Sequence, residues 1–426
     1  MSTIRKAYKT ILKEFFSENM TISFGEQKLG FTKRTWTIPD ESGKNVTQGL
    51  RYGDNPDQSA AMYQWTSGEL KIGNLTVTPG KAFISGIDET SFIQFGKHPG
   101  KTNITDISSA LSIMRLLGPV KSTIIVKHNN PCGVSISDNL YDSYINAYNA
   151  DRIAAMGGCT VLSHPCDIHT AEAISQTYSE VVVAPEFENG TIELLKKRKN
   201  LRIIRIPEIA EIGELSHQPL LKFTTLEDGG IIVEQTQIPM ITSSDDFIIP
   251  EQKIKGETFR INRNPLESEK KDLILAWHIV SGITSNSIVM VKNGTTVAIG
   301  TGEQDRVGAV RLAIEKACTK HADGICFRKY GISLFQMELE VKKDLRPQSH
   351  LLEIMEQSRS ENCGLSGSVI ASDGFFPFRD GVDAALNMGI TAVIQPGGSI
   401  KDYESIIACN ERDATMVFTN QRVFKH

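Results

Sequence analysis

Short β-branched runs alternate with amphipathic stretches from about residue 50 onward. SALSIMRLLG (109–118) spaces its apolar residues as a helix does, and STIIV (122–126) follows as a strand. DSYINAYNADRIAAMGG (142–158) predicts a helix leading into the strand CTVLS, and TAEAISQTY (170–178) a helix before the strand EVVVAP (180–185). Further on come the helix SEKKDLILAWHIVSG (268–282), a hairpin across SIVMVKNGTTVAIG with an Asn293-Gly294 turn, and the helix AVRLAIEKAC. The strand GSVIAS (367–372), the helix RDGVDAALNMG (379–389) and the strands TAVIQ (391–395) and ATMVFT (414–419) complete the pattern. Such alternation is the mark of a layered α/β architecture with a substantially parallel sheet.

Two regions break the rhythm. Residues 1–49 read as an amphipathic helix, with Ile4, Tyr8, Ile11, Leu12 and Phe15 on one face, followed by a β-rich lead-in that ends in the turn DESGKN. The stretch from about 225 to 265, rich in Gly, Thr, Ser, Asp and Pro, reads as a boundary. The expected organisation is a first domain over 50–240, a linker over 241–266 and a second domain over 267–426.

Composition narrows the function classes. A net charge of -4 argues against nucleic acid as the main partner. No apolar stretch approaches a membrane span and no secretory leader pattern is present, so a soluble cytoplasmic protein is expected. The cysteines, seven in number and scattered, argue against a disulfide framework. Cys166 and His169 in HPCDIH form a single Cys/His pair, too little for zinc, and no metal is expected.

Candidate chemistry collects where strands end, the ligand-binding edge of open α/β sheets. KHNNPCG follows STIIV, SDGFFPFRDG follows GSVIA, PGGSIKD follows TAVIQ, GTGEQDR follows TTVAIG, and NQRVFKH follows ATMVFT. Lys127 and His128 admit two readings. They are a solvated lysine with a turn-capping histidine, or a base beside an oxyanion stabiliser, the ammonium favouring the neutral imidazole. Asn130-Pro131 and Gly133 are expected to enforce a tight loop there. Phe375, Phe376 and Phe378 either fill a core or stack on a flat ring. PGGSI offers backbone N–H groups to an anion. GTGEQD lacks the third glycine of a dinucleotide fingerprint, and a Rossmann assignment fails.

Together LRYGDNPDQ, KHNNPCG, NADRIAAMGG, EVVVAP, SNSIVMVKNGTTVAIGTGEQDR, SDGFFPFRDGVDAALNMGITAVIQPGGSIKD and TNQRVF resemble the transformylase part of the AICAR transformylase/IMP cyclohydrolases, in family order. The resemblance implies formyl transfer from 10-formyltetrahydrofolate to the 5-amino group of AICAR, giving FAICAR. It also implies two cytidine-deaminase-like α/β/α layered domains and a homodimer with interfacial active sites. The zinc-deaminase pattern HxE…PCxxC is absent. By resemblance His128 is the base, Lys127 stabilises the formyl oxygen or assists the leaving nitrogen, and Asn286 orients the substrate. Arg51, Tyr52, Gly157, Glu180, Phe375 and Arg422, with His128 and Asn286, fall on AICAR-contacting positions. Ile153, Met156, Arg306, Val307, Pro377, Phe378, Asp380, Ser399 and Ile400 fall on the folate side.

The departures carry expectations of their own. Only 49 residues precede LRYGDNPDQ, so IMP cyclohydrolase activity is not expected, and a separate cyclohydrolase would draw the reaction forward. Asp57 stands where the family usually has histidine, and the stretch from 320 to 360 looks short. Two other readings compete. Formate with ATP as donor would call for a GxxxxGK[ST] loop, which the chain lacks. An AICAR-binding sensor would be expected to have lost Lys127 or His128, and both are present.

Overall fold

Runs such as VVVA, AVIQ and TMVF carry no polar alternation, so a strand made from them must be covered on both faces. The computed structural model, which describes residues 11–39 and 43–426, is built around such strands. It is an α/β protein of two compact units. The first takes the described residues up to Lys121 together with Val126–Asn129 and Gly157–Ile238; the second takes Ser122–Ile125, Asn130–Met156 and Pro239–His426.

In the first unit the strands Gly158–Leu162, Ser179–Ala184 and Arg202–Arg205 run parallel, and Phe92–Gln94 closes the edge antiparallel. Helices Lys101–Met114 and Ile168–Ser175 accompany them. The β-rich lead-in takes the form of Asn19–Phe24 and Gln27–Arg34, paired antiparallel and joined by Met62–Ser67. In the second unit Val369–Ser372, Ala392–Gln395 and Thr415–Phe418 are parallel. The hairpin Ile288–Lys292/Thr295–Gly300 adds antiparallel pairs, so each unit's sheet is mixed. Asn293 and Gly294 both take left-handed φ values (51° and 74°), as a two-residue hairpin turn demands. Around this sheet Phe376, Val310, Met290, Ile370 and Val393 form one buried apolar cluster.

Several expected elements are corrected. Most of the N-terminal amphipathic helix lies outside the described residues, and residues 11–17 form no regular element, with Phe15 exposed. The helix expected over 142–158 is two, Leu140–Ala150 and Arg152–Ala155. Asp151 ends the first and caps the second, its carboxylate accepting the Ala154 N–H at 2.8 Å. The helix read over AVRLAIEKAC runs from Arg306 to Tyr330, where Gly331 in the left-handed region stops it. Its extension is hidden in HADGICFRKY because Ala322, Ile325 and Cys326, with Tyr330 packed against them, face a small separate core with Leu334, Met337 and Ile354. The helices Leu334–Lys342 and Gln348–Ser360 then lead back so that Cys363 meets Cys318 in a disulfide. Their separation of 45 residues concealed a pairing that this excursion creates.

Among the described residues, no helix is long and apolar enough to cross a membrane. Cys166 is buried while the His169 side chain is exposed and lies near Glu172.

His278, buried on the helix Glu267–Val280, contacts the Ile241 carbonyl through Nε2 at 2.9 Å. Burial pulls its pKa below the ordinary histidine value, only partly opposed by that hydrogen bond. The unfolded chain therefore takes up a proton that the folded chain resists. Stability is fully present above the unfolded value and falls as pH drops below it. Urea unfolding from about pH 7 to about pH 5 is expected to show this loss, with a shallower slope in His278→Gln; equal slopes would contradict it.

Candidate functional site

The lysine–histidine pair sits at a turn tighter than its sequence suggested. Lys127 ends the strand Ser122–Lys127, and only two residues separate it from the strand Asn130–Ile136. His128 and Asn129 form the turn at φ 56° and 63°. Asn130-Pro131 was expected to shape the loop, but both are already strand residues. Gly133 serves packing instead: a Cβ there would lie 1.9 Å from the Ala147 carbonyl oxygen.

The turn is held from the helix Lys101–Met114. Asp106 Oδ1 accepts the Asn129 N–H at 2.7 Å, and the Ser109 hydroxyl donates to Asn129 Oδ1 at 3.5 Å. Three residues before Asp106, Asn103 accepts the Gly100 N–H at 3.1 Å and donates to Glu180 at 3.5 Å. One helical face thus touches the turn and a strand-borne carboxylate. Burial raises the Asp106 pKa, and Glu180 adds to the rise, while the Asn129 N–H and the His128 and Lys127 charges oppose it.

Behind Glu180 stands Arg202, almost wholly buried on the neighbouring strand. Its NH1 lies 3.8 Å from Glu180 Oε2, its NH2 donates to the His98 carbonyl at 3.3 Å, and its Nε is unpartnered. Burial lowers its pKa to about 10, and the nearby Arg51 cation pushes the same way. Arg51 donates to the Tyr52 hydroxyl at 2.8 Å and lies over that ring at 4.5 Å. Gly157, at φ 79°, donates its N–H to the Tyr178 carbonyl at 2.6 Å, two residues before Glu180. The first unit therefore brings Arg51, Tyr52, Glu180, Lys127 and His128 into one electrostatic neighbourhood. Two guanidiniums thus stand near one another, Arg202 against the Glu180 carboxylate and Arg51 against Tyr52, an arrangement suited to an anion.

The second unit builds its own centre. Arg306 opens the helix Arg306–Tyr330 and is buried against Asp373, which is fully withdrawn from solvent. Arg306 also donates to the Ser287 carbonyl at 3.1 Å and to Asn286 Oδ1 at 2.7 Å. Asn286 Nδ2 donates to the Gln304 carbonyl at 3.1 Å, so both ends of its amide are fixed. Asp373 further accepts the Ser285 hydroxyl and, at 3.1 Å, the Ser287 N–H. Val307 beside Arg306 is half-buried.

The phenylalanines divide. Phe376 is core, while Phe375 and Phe378 are 43% and 53% exposed and Pro377 is exposed too. Lys401 Nζ stands 4.9 Å over the Phe378 ring. In PGGSIKD, Ser399 is buried, its hydroxyl accepting the Lys401 N–H at 3.1 Å, and Ile400 is exposed. The Asp402 carboxylate occupies the Gly398 N–H at 2.7 Å, so the anion expected at that loop meets an amide already satisfied. Asp380 accepts the N–H of Gly381 at its own helix start. Arg422 lies over Phe424 at 4.5 Å. Ile153, within the short helix, and Met156, just after it, are exposed.

Sequence reading missed Asp106, Arg202, Ser285 and Asp373. The Asn103–Asp106 spacing was the available signal for the first, and SDGFF drew attention to its aromatics and away from its aspartate.

A model of the family described as AICARFT/IMPCHase bienzyme matches residues 4–316. The chain belongs to that family. Curated relatives named bifunctional purine biosynthesis protein PurH include one from Magnetococcus marinus, 36% identical over 405 residues, covering 94% of this chain and 63% of the relative. One from Thermoanaerobacter sp. is 35% identical and covers 89% of this chain and 59% of its own length. A third, from Listeria welshimeri, is 31% identical over 99% of this chain and 65% of its own. The chain spans less than two thirds of the length of these relatives. The family match takes in the first-unit cluster together with Asn286 and Arg306.

Removing the acid from the second centre leaves a guanidinium buried without its carboxylate. Asp373→Ala is expected to lose about 3–5 kcal/mol in urea unfolding; a loss of under about 1 kcal/mol would place that charge in contact with water.

Proposed function

We propose that this chain transfers a formyl group from 10-formyltetrahydrofolate to the 5-amino group of AICAR, yielding FAICAR in purine biosynthesis. The observation that carries the reading is His128 held beside Lys127 on a turn fixed by Asp106, in the neighbourhood of Arg51, Glu180 and Arg202. The two guanidiniums suit the phosphate of a nucleotide, and Tyr52 and Glu180 supply polar contacts to its base and sugar. Family membership supports the same substrate.

The chemistry follows from the side chains. The aromatic amine attacks the formyl carbon while His128 takes its proton. The Lys127 ammonium meets the negative charge that collects on the formyl oxygen. As that oxygen re-forms its carbonyl, the bond from carbon to the folate nitrogen breaks, and the nitrogen leaves with the proton that His128 took up and now returns. Asn286, its amide fixed by Arg306 and Gln304, is suited to orient the transferred group. The folate side draws on Arg306, Val307, Asp380 and Ser399. Ile153, Met156, Phe378 and Ile400 fit that ligand because they are large apolar side chains left exposed. Phe375 and Arg422 belong to the nucleotide side.

The proposal extends to organisation. Each unit takes the layered deaminase-like fold, two chains pair as a homodimer, and ring closure to IMP comes from a separate cyclohydrolase in the cytoplasm.

Purified protein with AICAR and 10-formyltetrahydrofolate is expected to release tetrahydrofolate and to accumulate FAICAR without IMP. In His128→Ala the turnover number should fall ~10²–10⁴-fold with AICAR still bound. IMP from this protein alone would refute the separate cyclohydrolase, and wild-type turnover in the variant would remove His128 from the chemistry. AICAR binding with no formylation by either folate or formate with ATP would leave a sensor.

A further inference from the structure

The helix Lys101–Met114 has a second face, turned away from Asp106. Thr105, Ser108, Ser112 and Arg115 lie along it and line a cavity of about 800 Å³ within the first unit. That volume is in the range of small-molecule sites, roughly 300–1,000 Å³. Its walls are mainly apolar, with Val77, Phe83, Ile104, Leu111, Ile212 and Leu220 among them. Among the described residues, no aspartate or glutamate lines it.

Arg115 is the anomaly. It caps the helix and is half-buried, and burial pushes its pKa down. Among the described residues its guanidinium makes one hydrogen bond, a long one of 3.4 Å from NH1 to the Leu215 carbonyl. The buried Nε has no partner, and no carboxylate among the described residues pairs with the guanidinium. A partly buried cation without a counterion is costly, and such groups are normally paired. Lys81, the other cation of the cavity, is already matched by Glu211 and Glu214. The cavity thus offers one uncompensated positive charge and an apolar interior.

We propose that this cavity binds an amphipathic monoanion, a carboxylate with an apolar body, whose head pairs with the Arg115 guanidinium and whose tail lies along the apolar walls. A planar carboxylate matches the edge of a guanidinium with two parallel hydrogen bonds. A single unmatched cation favours one negative charge over two. The site is separate from the proposed formyl-transfer residues, which meet the opposite face of the helix, and it does not depend on that reading.

The test is calorimetric titration of the full chain with decanoate, 1-decanol and inorganic phosphate. Decanoate is expected to bind one site per chain at least about tenfold more tightly than decanol, the margin of one charge-assisted hydrogen bond. Phosphate should not compete. Arg115→Met, which keeps an unbranched apolar stem but drops the charge, should bring decanoate down to the affinity of decanol. Ser108→Trp, at an exposed lining position, should block both ligands in a chain whose circular dichroism is unchanged. Equal binding of decanoate and decanol, unchanged decanoate affinity in Arg115→Met, or no decanoate binding below millimolar concentration would each overturn the proposal.

Discussion

The second unit is organised around a carboxylate that cannot reach water. Asp373 is buried completely, and a charge in that position must be met by donors or give up its ionisation. It is met by Arg306, by the Ser285 hydroxyl and by the Ser287 N–H. Its own carbonyl accepts the Val423 N–H, so the chain's last residues are tied to the same point. Loops after several strands are thereby registered against one side chain. Asn286 takes its orientation from Arg306, which takes its own from Asp373. Gly374 permits this crowding, since a Cβ there would stand 2.7 Å from both the Arg306 guanidinium and the Phe424 ring.

The first unit uses a different economy of parts. One helix, Lys101–Met114, presents Asn103 and Asp106 to Glu180 and to the turn, and Ser108, Ser112 and Arg115 to the cavity. Helical spacing makes the division possible: residues 103 and 106 lie three apart on one side, and 105, 108, 112 and 115 follow the other. The helix is therefore partly polar on both sides, which weakens its amphipathic signature.

That weakness explains what the sequence did and did not disclose. The sheet strands were legible because fully buried β-branched runs such as VVVA and AVIQ have few other uses. The Asn293-Gly294 turn was legible because its backbone demands those residue types. The helix Lys101–Met114 was placed eight residues late, because GKTNITDI spends its polar side chains on tertiary partners. The long helix Arg306–Tyr330 was cut short for a related reason, its C-terminal half serving a small core of its own. At the candidate site the residues with known chemistry stood out in KHNNPCG. Their supports did not, because Asp106, Arg202 and Asp373 act through partners 20 or more residues away in the chain. Loop aromatics were ambiguous by nature, and the burial of Phe376 beside the exposure of Phe375 and Phe378 divides them.

The turn at His128 sets folding and chemistry against each other. Its backbone lies in the left-handed region, where glycine or asparagine rests with least strain and a larger side chain does so at some cost. Random drift acting only on stability would carry this position toward those two residues. An imidazole held there is a preference that the fold by itself would erode, which makes residue 128 a place where a more stable descendant of this chain would be a less capable one.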